Sequence, residues 1–555
     1  MKTNIKVLLS AAFAALTVGC TDLDVPVKSQ YTSYPNSEAA LEAQLSGIYF
    51  QMRGNYGRRY MEAMALSSDE YTAVSYGGNW YDSGAYAHPS LHNYSYEDAS
   101  IDWMTDLAKG VVKANEIIDS DADDKYKAPA RAMRAYFTYV MMDCWGDVTI
   151  NDSKLKDEID LEERQPRAKV AEWLESELKE IIPQLTTEVG GDNYGKPNKY
   201  MAQALLAKLY INWPVYTASA VENYDAASAT NPKLADCIAV CDEIIKSGKF
   251  ELGPDPYRFK FAPDNTERFN NGTIKDFFYV IPYHTIDAKG MQYGRSHNYK
   301  DIKNCKPSYY GEALPNSGGG YVTITPEFAD LFNLPGDERN MMILGNNNCK
   351  NDGVVYVYDK TTLLPTDEVC KDKSGNDLIL SKELQPAATT DETGNEVRVW
   401  DLTINVGDDL DGWRQGYRSV KWFVWDSDYR NGRDQSNDIP LIRYADVLLM
   451  KAEALTRQGS SPEAKDLFNQ IRTYVNAPLL DHNPTLDEIY DERGREFFDE
   501  NLRRTDMIRF GHFEDEFFPH YKNFPTANFD KTRRIFPIHK NMLDLNPKWH
   551  QNAGY

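Results

Sequence analysis

Several spacings in this sequence match metal ligand sets or catalytic frames, and each lacks something it would need. His88 and His92 are four apart, the interval that puts two imidazoles on one helix face for a metal ion. Pro89 follows His88 directly and disfavours helix there, so no metal site is predicted. Asp119, Asp121 and Asp123 imitate the first half of a calcium loop. Position six is Asp124 in place of Gly, and position twelve is Ala130 in place of Glu, so they read as a solvated acidic turn. Ser153 to Lys156 and Ser176 to Lys179 fit Ser-x-x-Lys, with no Ser-Asp-Asn or Lys-Thr-Gly to accompany them. His-Glu-x-x-His, Gly-x-Ser-x-Gly and Gly-x-Gly-x-x-Gly are absent. No catalytic constellation and no cofactor motif emerges. Hydrolysis of a glycosidic bond needs only two well-spaced carboxylates, which 84 acidic residues supply in excess, so a secreted glycoside hydrolase stays as an alternative.

Cys20 carries a different chemistry. Lys2 and Lys6 precede an apolar run from Val7 to Val18, and the run stops at Gly19-Cys20. Twelve residues are too few to span a bilayer core of about 30 Å, but they fit the apolar stretch of an export signal. A small residue before Cys resembles a bacterial lipobox, with Leu16 one position further upstream than the usual pattern has it. Residues 1–19 are therefore expected to be a lipoprotein signal peptide, with Cys20 lipidated and residues 21 to about 35 as a tether. Cys237 and Cys241, four apart on an apparent helix beside Leu234, Ile238 and Ile245, read as core and not as ligands.

The chain has 555 residues, a formal charge of −23 and 36 Tyr. Such an acidic body repels phosphates, so nucleic acid is excluded as a partner. The same repulsion weighs against anionic glycans, unless a local basic patch overrides it. At 42% hydrophobic the chain has ample material for a core.

Helical periodicity dominates. A helix is predicted after Ser37, and others over Ala130–Trp145, Val170–Leu185, Tyr200–Trp213 (stopped by Pro214) and Leu234–Ser247. The pair Tyr444–Gly459 and Pro462–Val475 places Ala452, Leu455, Ala464 and Phe468 at the spacings of a tetratricopeptide repeat. Ala207 and Tyr210 match them in the earlier pair. One such hairpin cannot bury its own face, so several stacked hairpins are expected. Residues 67 to 100 are Tyr, Trp, Gly, Asn and Ser without helical period, the composition of a functional loop. Residues 250 to 440 are loop-rich, with short strand-like pieces at Val354–Tyr358 and Arg398–Thr403.

The order of several landmarks then resembles one family. They are Arg131-Ala-Met-Arg-Ala-Tyr-Phe137 with Trp145-Gly-Asp-Val148, Asp438-Ile-Pro-Leu-Ile-Arg443 running into Tyr444–Leu455, and Asn469-Gln-Ile-Arg472. They continue with Asp491-Glu-Arg493, Glu496-Phe497, Glu500-Asn-Leu-Arg503, Phe536-Pro-Ile538, Asn546-Pro547 and Gln551-Asn-Ala-Gly-Tyr555. Together they look like the SusD/RagB family of Bacteroidetes outer-membrane lipoproteins. The resemblance implies a mainly α fold, built on a scaffold of tetratricopeptide-type helical hairpins with a loop-rich, partly irregular second region. It implies an N-terminal helical region over 20–250 and a C-terminal region over 251–555, loop-rich to 437, helical over 438–511, with a tail to 555. It also implies a glycan-binding protein that is not an enzyme, anchored by lipid in the outer membrane and facing the cell exterior. Its partners would be an oligosaccharide and a SusC-like TonB-dependent transporter, which it would serve as lid and capture subunit for nutrient uptake. Asp22 and Asp24 after Cys20 fit surface export. A non-glycan ligand such as a peptide, and a lid without affinity of its own, stay open beside that role.

A sugar presents an apolar C–H face and an edge of hydroxyls, so its site needs an aromatic platform flanked by hydrogen-bonding side chains. Two stretches supply that mixture: Asp69 to Tyr96 and Tyr279 to Tyr310. From the first, Asp69, Asn79, Trp80 and Tyr81 are expected to bind ligand, and from the second Tyr283, Tyr293, Arg295 and Tyr299. Trp80 leads because Gly77, Gly78 and Asn79 place it in a polar loop. A third cluster holds Trp413, Arg414, Tyr417, Trp422, Trp425 and Tyr429, with Trp422 and Trp425 expected in the core. Arg443, Tyr444, Glu453, Arg493, Glu496 and Arg503 read as packing and ion pairing.

Overall fold

A computed structural model describes residues 37–151, 162–430, 432–516, 521 and 524–555. The export signal, Cys20, the tether and the stretch from Ser153 to Lys156 lie outside the described residues. Contacts divide the chain into Met1–Ala43 and Gln44–Tyr555, the second a single compact unit.

The principal helices are α1 (Glu38–Tyr49), α2 (Met104–Ile118), α3 (Asp124–Trp145), α4 (Arg167–Ile181), α5 (Lys199–Ile211), α6 (Leu234–Lys246), α7 (Tyr444–Gln458), α8 (Pro462–Tyr474), α9 (Leu486–Phe497) and α10 (Arg503–Phe510). Their ends follow from local chemistry. The Asn198 side chain accepts from the Tyr200 and Met201 amides at 3.0 and 3.1 Å and starts α5. Ser461 followed by Pro462 starts α8. Thr485 and Glu488 close a reciprocal capping box on α9. Pro214 does not stop α5, which ends at Ile211. It sits in the first turn of a short helix over Trp213–Thr217, where its missing N–H leaves no bond unmade.

The fold is mostly helical. α2 packs on α3 and α3 on α4; α5 pairs with α6, α6 also packs on α7, and α7 pairs with α8. The hairpins α5/α6 and α7/α8 are thus stacked through α6. Ala204, Ala207, Ala452 and Ala464 are fully buried at these crossings, where small side chains let backbones approach. Cys237 and Cys241 are buried there too, the Cys237 thiol 3.6 Å from the Ala207 carbonyl.

The strands form two-stranded antiparallel pairs: β1 (Tyr71–Ala73) with β3 (Val322–Ile324), β2 (Phe277–Ile281) with β10 (Ile439–Arg443), β4 (Ile343–Leu344) with β9 (Arg418–Ser419), β5 (Tyr356–Tyr358) with β6 (Pro365–Val369), and β7 (Ala388–Thr390) with β8 (Glu396–Arg398). Arg398 ends a strand instead of starting one. Arg443 ends β10 and Tyr444 opens α7, so this landmark straddles a strand-to-helix junction.

Landmark charges meet in the core. Arg443 reaches Asp276, Glu496 and Glu500, Arg339 reaches Asp337, Glu492 and Glu496, and Arg493 reaches Asp446 and Asp506. Glu453 is forked by Arg509 at 2.8 and 2.9 Å and bonded by Arg457 at 2.8 Å. Burial alone would raise this carboxyl, but Arg509 and Arg457 outweigh it and hold it at about 2. Glu492 is held at about 2 against the same burial by Arg339, Arg495 and Arg472. An unfolded Glu titrates near about 4.3. Carboxyls depressed in the fold contribute stability that is full above that value and is lost as pH falls toward about 2. The urea midpoint is therefore expected to be level near neutrality and to fall steeply between about pH 4 and 2. A midpoint unchanged down to pH 2 would contradict the pairing.

The two histidines do not share a helix face. His88 lies in a short turn of helix over Ala87–Ser90 and sits 3.0 Å from Asp98. His92, in a left-handed conformation, is fully buried with Nε2 3.2 Å from the Ser67 carbonyl, and burial lowers it to about 3.

Candidate functional site

After β1 the chain runs beside residues 404–406, Ser75 donating to Ile404 at 3.1 Å and accepting from Val406 at 3.0 Å. It then reverses at Tyr76–Asn79, closed by paired amide–carbonyl bonds of 3.0 and 3.1 Å. Gly77 and Gly78 take φ of +60° and +92°, which this tight turn demands at both central positions and which costs glycine nothing. The turn lifts Asn79 into solvent and leaves Trp80 and Tyr81 half-exposed. Trp80 itself has φ +67°. A bulky residue held there costs on the order of 1–2 kcal/mol, a strain that concentrates at working sites.

The Trp80 ring stacks on Tyr321, centroids 4.4 Å apart and planes 21° from parallel. Tyr86 leans on Tyr321 at 4.4 Å. Beneath them the Tyr321 hydroxyl donates to Glu62, and Arg58 joins Glu62 at 3.3 Å and the Tyr86 hydroxyl at 2.8 Å. Burial, with the Glu62 carboxylate, raises the Tyr321 hydroxyl far above its ordinary value, so it stays a donor. A Cβ on Gly319 would lie 2.5 Å from the Tyr321 ring and 3.1 Å from that of Trp80. Gly319→Ala is expected to displace the stack, changing the near-ultraviolet circular dichroism while the far-ultraviolet spectrum holds. An unchanged near-ultraviolet spectrum would rule out the packing described.

Asp408 ties this platform to a second ring. It accepts from the Trp413 indole N–H at 2.8 Å and from Asn79 at 3.3 Å, and it pairs with Lys300. The Lys300 ammonium lies 4.6 Å from the Tyr76 ring centre and 5.0 Å from that of Trp413, and Lys373 lies 4.1 Å from Trp413. Two half-exposed indoles are thus joined through an exposed carboxylate, an amide and an ammonium. Such an array can stack the C–H faces of cyclic polyols and bond their hydroxyl edges. Arg295, 5% exposed, sits over the Trp80 ring at 5.9 Å.

Of the residues singled out in sequence, the structure brings Asn79, Trp80, Tyr81 and Arg295 together. Tyr283, Tyr293 and Tyr299 do not offer a ring to a ligand. All three are buried, Tyr283 donating to the Arg53 carbonyl at 2.5 Å and Tyr293 to Asp499 at 2.8 Å. Asp69 is forked by Arg503 with two bonds of 2.7 Å and is committed to that pair. Trp422 packs on Phe261 in the core as expected, while Trp425 is half-buried. Lys300, Asp408 and Tyr321 escaped the sequence reading. The run Gly318-Gly-Gly320 was the available signal for Tyr321, since consecutive glycines mark close approach of backbone to a packed ring.

Known proteins bear on this arrangement. The family model described as the SusD family matches residues 285–555. The chain is 22% identical over 476 residues to the starch-binding protein SusD of Bacteroides thetaiotaomicron, covering 83% of this chain and 77% of that one. Its fold is similar to surface glycan-binding protein A of Bacteroides thetaiotaomicron, with a TM-score of 0.67, 16% identity and coverage of 94% and 100%. It is also similar to a SusD superfamily protein of Parabacteroides distasonis, with a TM-score of 0.65, 19% identity and coverage of 93% and 99%. The chain is a SusD-like protein.

Proposed function

We propose that this chain is a cell-surface glycan-binding lipoprotein that captures oligosaccharides and acts as lid of a SusC-type TonB-dependent transporter. The observation that carries the reading is the strained, half-exposed Trp80 stacked on Tyr321 and ringed by Asn79, Asp408, Lys300 and Trp413. Relatives whose names record starch and surface-glycan binding support it. Export and anchoring through Cys20 rest on the sequence of residues 1–20, and the transporter partnership rests on the family resemblance. Asp408 suits the binding of hydroxyls. Slight burial would raise this carboxyl, but Lys300, the Trp413 N–H and Asn79 hold it below its ordinary value, so it stays an acceptor.

The test is affinity electrophoresis of the protein lacking residues 1–20 against a panel of polysaccharides. Retardation by at least one glycan without release of reducing sugar is expected. No retardation by any, or release of product, would overturn the reading.

A further inference from the structure

The other buried arginines of this chain are answered. Arg339, Arg443, Arg493 and Arg509 meet carboxylates, and Arg418 and Arg504 meet backbone carbonyls. Arg295 is the exception among them. As a residue it is 5% exposed, yet among the described residues its guanidinium makes no hydrogen bond and no ion pair, and its nitrogens keep contact with solvent. Its contact is the face of Trp80 at 5.9 Å. A buried cation without counter-charge is costly, and a chain with 84 acidic residues had ample means to supply one.

The surroundings add positive charge. Arg58 and Arg433 both act on Arg295 as like charges. Arg433 is exposed and, among the described residues, carries no ion pair. Its loop lies against the Arg295 segment, since Gly432 accepts from Asn316 and Gly319 donates to the Arg295 carbonyl at 3.1 Å. The carboxylates nearby are committed, Glu62 to Arg58 and Tyr321, and Asp408 to Lys300 and Trp413. Asp434, next to Arg433 in the chain, accepts from the Gly290 amide and the Gln292 side chain at 3.1 Å each, and Asp82 is exposed near Tyr86.

We propose that the Trp80 platform takes a sugar bearing an anionic substituent, a carboxylate or a sulfate, which Arg295 receives with Arg433 at the rim. This rests on the glycan-capture reading above and names its ligand class. The guanidinium fork fits both oxyanions, and the indole beneath holds the sugar ring. The overall −23 charge does not oppose it. Repulsion from distant carboxylates is screened beyond about 8 Å at physiological salt, so the local arginines decide. The same charge keeps polyanions from adsorbing elsewhere.

The test titrates the full chain in detergent with polygalacturonate, carboxyl-reduced polygalacturonate, dextran sulfate and dextran. Binding of polygalacturonate or dextran sulfate at least about tenfold tighter than of its uncharged counterpart is expected, and which of the two binds separates carboxylate from sulfate. Arg295→Gln and Arg433→Gln should each weaken that binding about tenfold and flatten its salt dependence. Arg433 is exposed, so its variant reads the proposal even where Arg295→Gln fails to fold. Equal or tighter binding of the uncharged polymers overturns the proposal and leaves glycan capture standing, as does binding insensitive to both substitutions. Binding of no polymer, with no retardation in the wider panel, overturns both.

Discussion

Arg443→Ala is expected to destabilise the protein by about 3–5 kcal/mol, read as a drop in the urea midpoint at constant slope. Arg443 is 1% exposed and holds Glu500 in a two-bond fork of 2.6 and 2.8 Å, Glu496 at 3.0 Å and Asp276 at 3.1 Å. Removing it leaves three carboxylates in a site closed to water, with one remaining cation each: Lys421 for Glu500, Arg339 for Glu496 and Lys260 for Asp276. The cost is that of uncompensated buried charge, plus a cavity beside Phe261 and Phe497, over which the guanidinium lies. Arg443→Lys keeps the charge and loses the fork, so it should fall between. A loss below about 1 kcal/mol for the alanine variant would mean that the network does not hold β10 to α9.

Trp80→Ala is expected to weaken glycan binding at least about thirtyfold, the scale of a central aromatic anchor, with thermal stability within a few degrees of the parent. Its ring is half-exposed, so its loss opens no core cavity, and Tyr321 beneath it stays tied to Glu62. Asn79 and Asp408 would still offer hydrogen bonds, but exposed polar bonds alone exchange with water at little net gain. Isothermal titration with an oligosaccharide that retards the parent protein reads the effect. An affinity within threefold of the parent would remove Trp80 from the site.

The helical scaffold was legible because it is written at short range. Ala207 with Tyr210, and Ala452 with Ala464, announce close helix crossings within a few turns, and the caps at Asn198, Ser461 and Thr485 are local. The partial exposure of Trp80 was legible for the same reason, since Gly77-Gly78-Asn79 is a turn that pushes the next residue outward. Tyr283, Tyr293 and Tyr299 were misread because a tyrosine in a polar stretch suits a sugar platform and a core equally. What decides is whether the assembled fold encloses the ring, as it does Tyr299, whose hydroxyl has no partner among the described residues. Tyr293 finds Asp499 across 206 positions of sequence, and Asp69 finds Arg503 across 434. The rim of the site has the same long-range origin. Lys300 and Asp408 are ordinary in their own segments and join Trp413, already part of an aromatic cluster in sequence, only where the loop after β1 meets the one before β9. Arg295 was read as a hydrogen-bonder in sequence; that it lacks a carboxylate appears only once its neighbours are in place.

The crystal structure of the complex with the best-binding oligosaccharide tests the central claim most directly. A sugar ring stacked within about 4 Å of the Trp80 indole, with hydroxyls bonded to Asn79 or Asp408, is the expected result. A ligand seated elsewhere, for example in the cleft lined by Asp69, Tyr490, His512 and Asp515, with the Trp80 face bare, would contradict it.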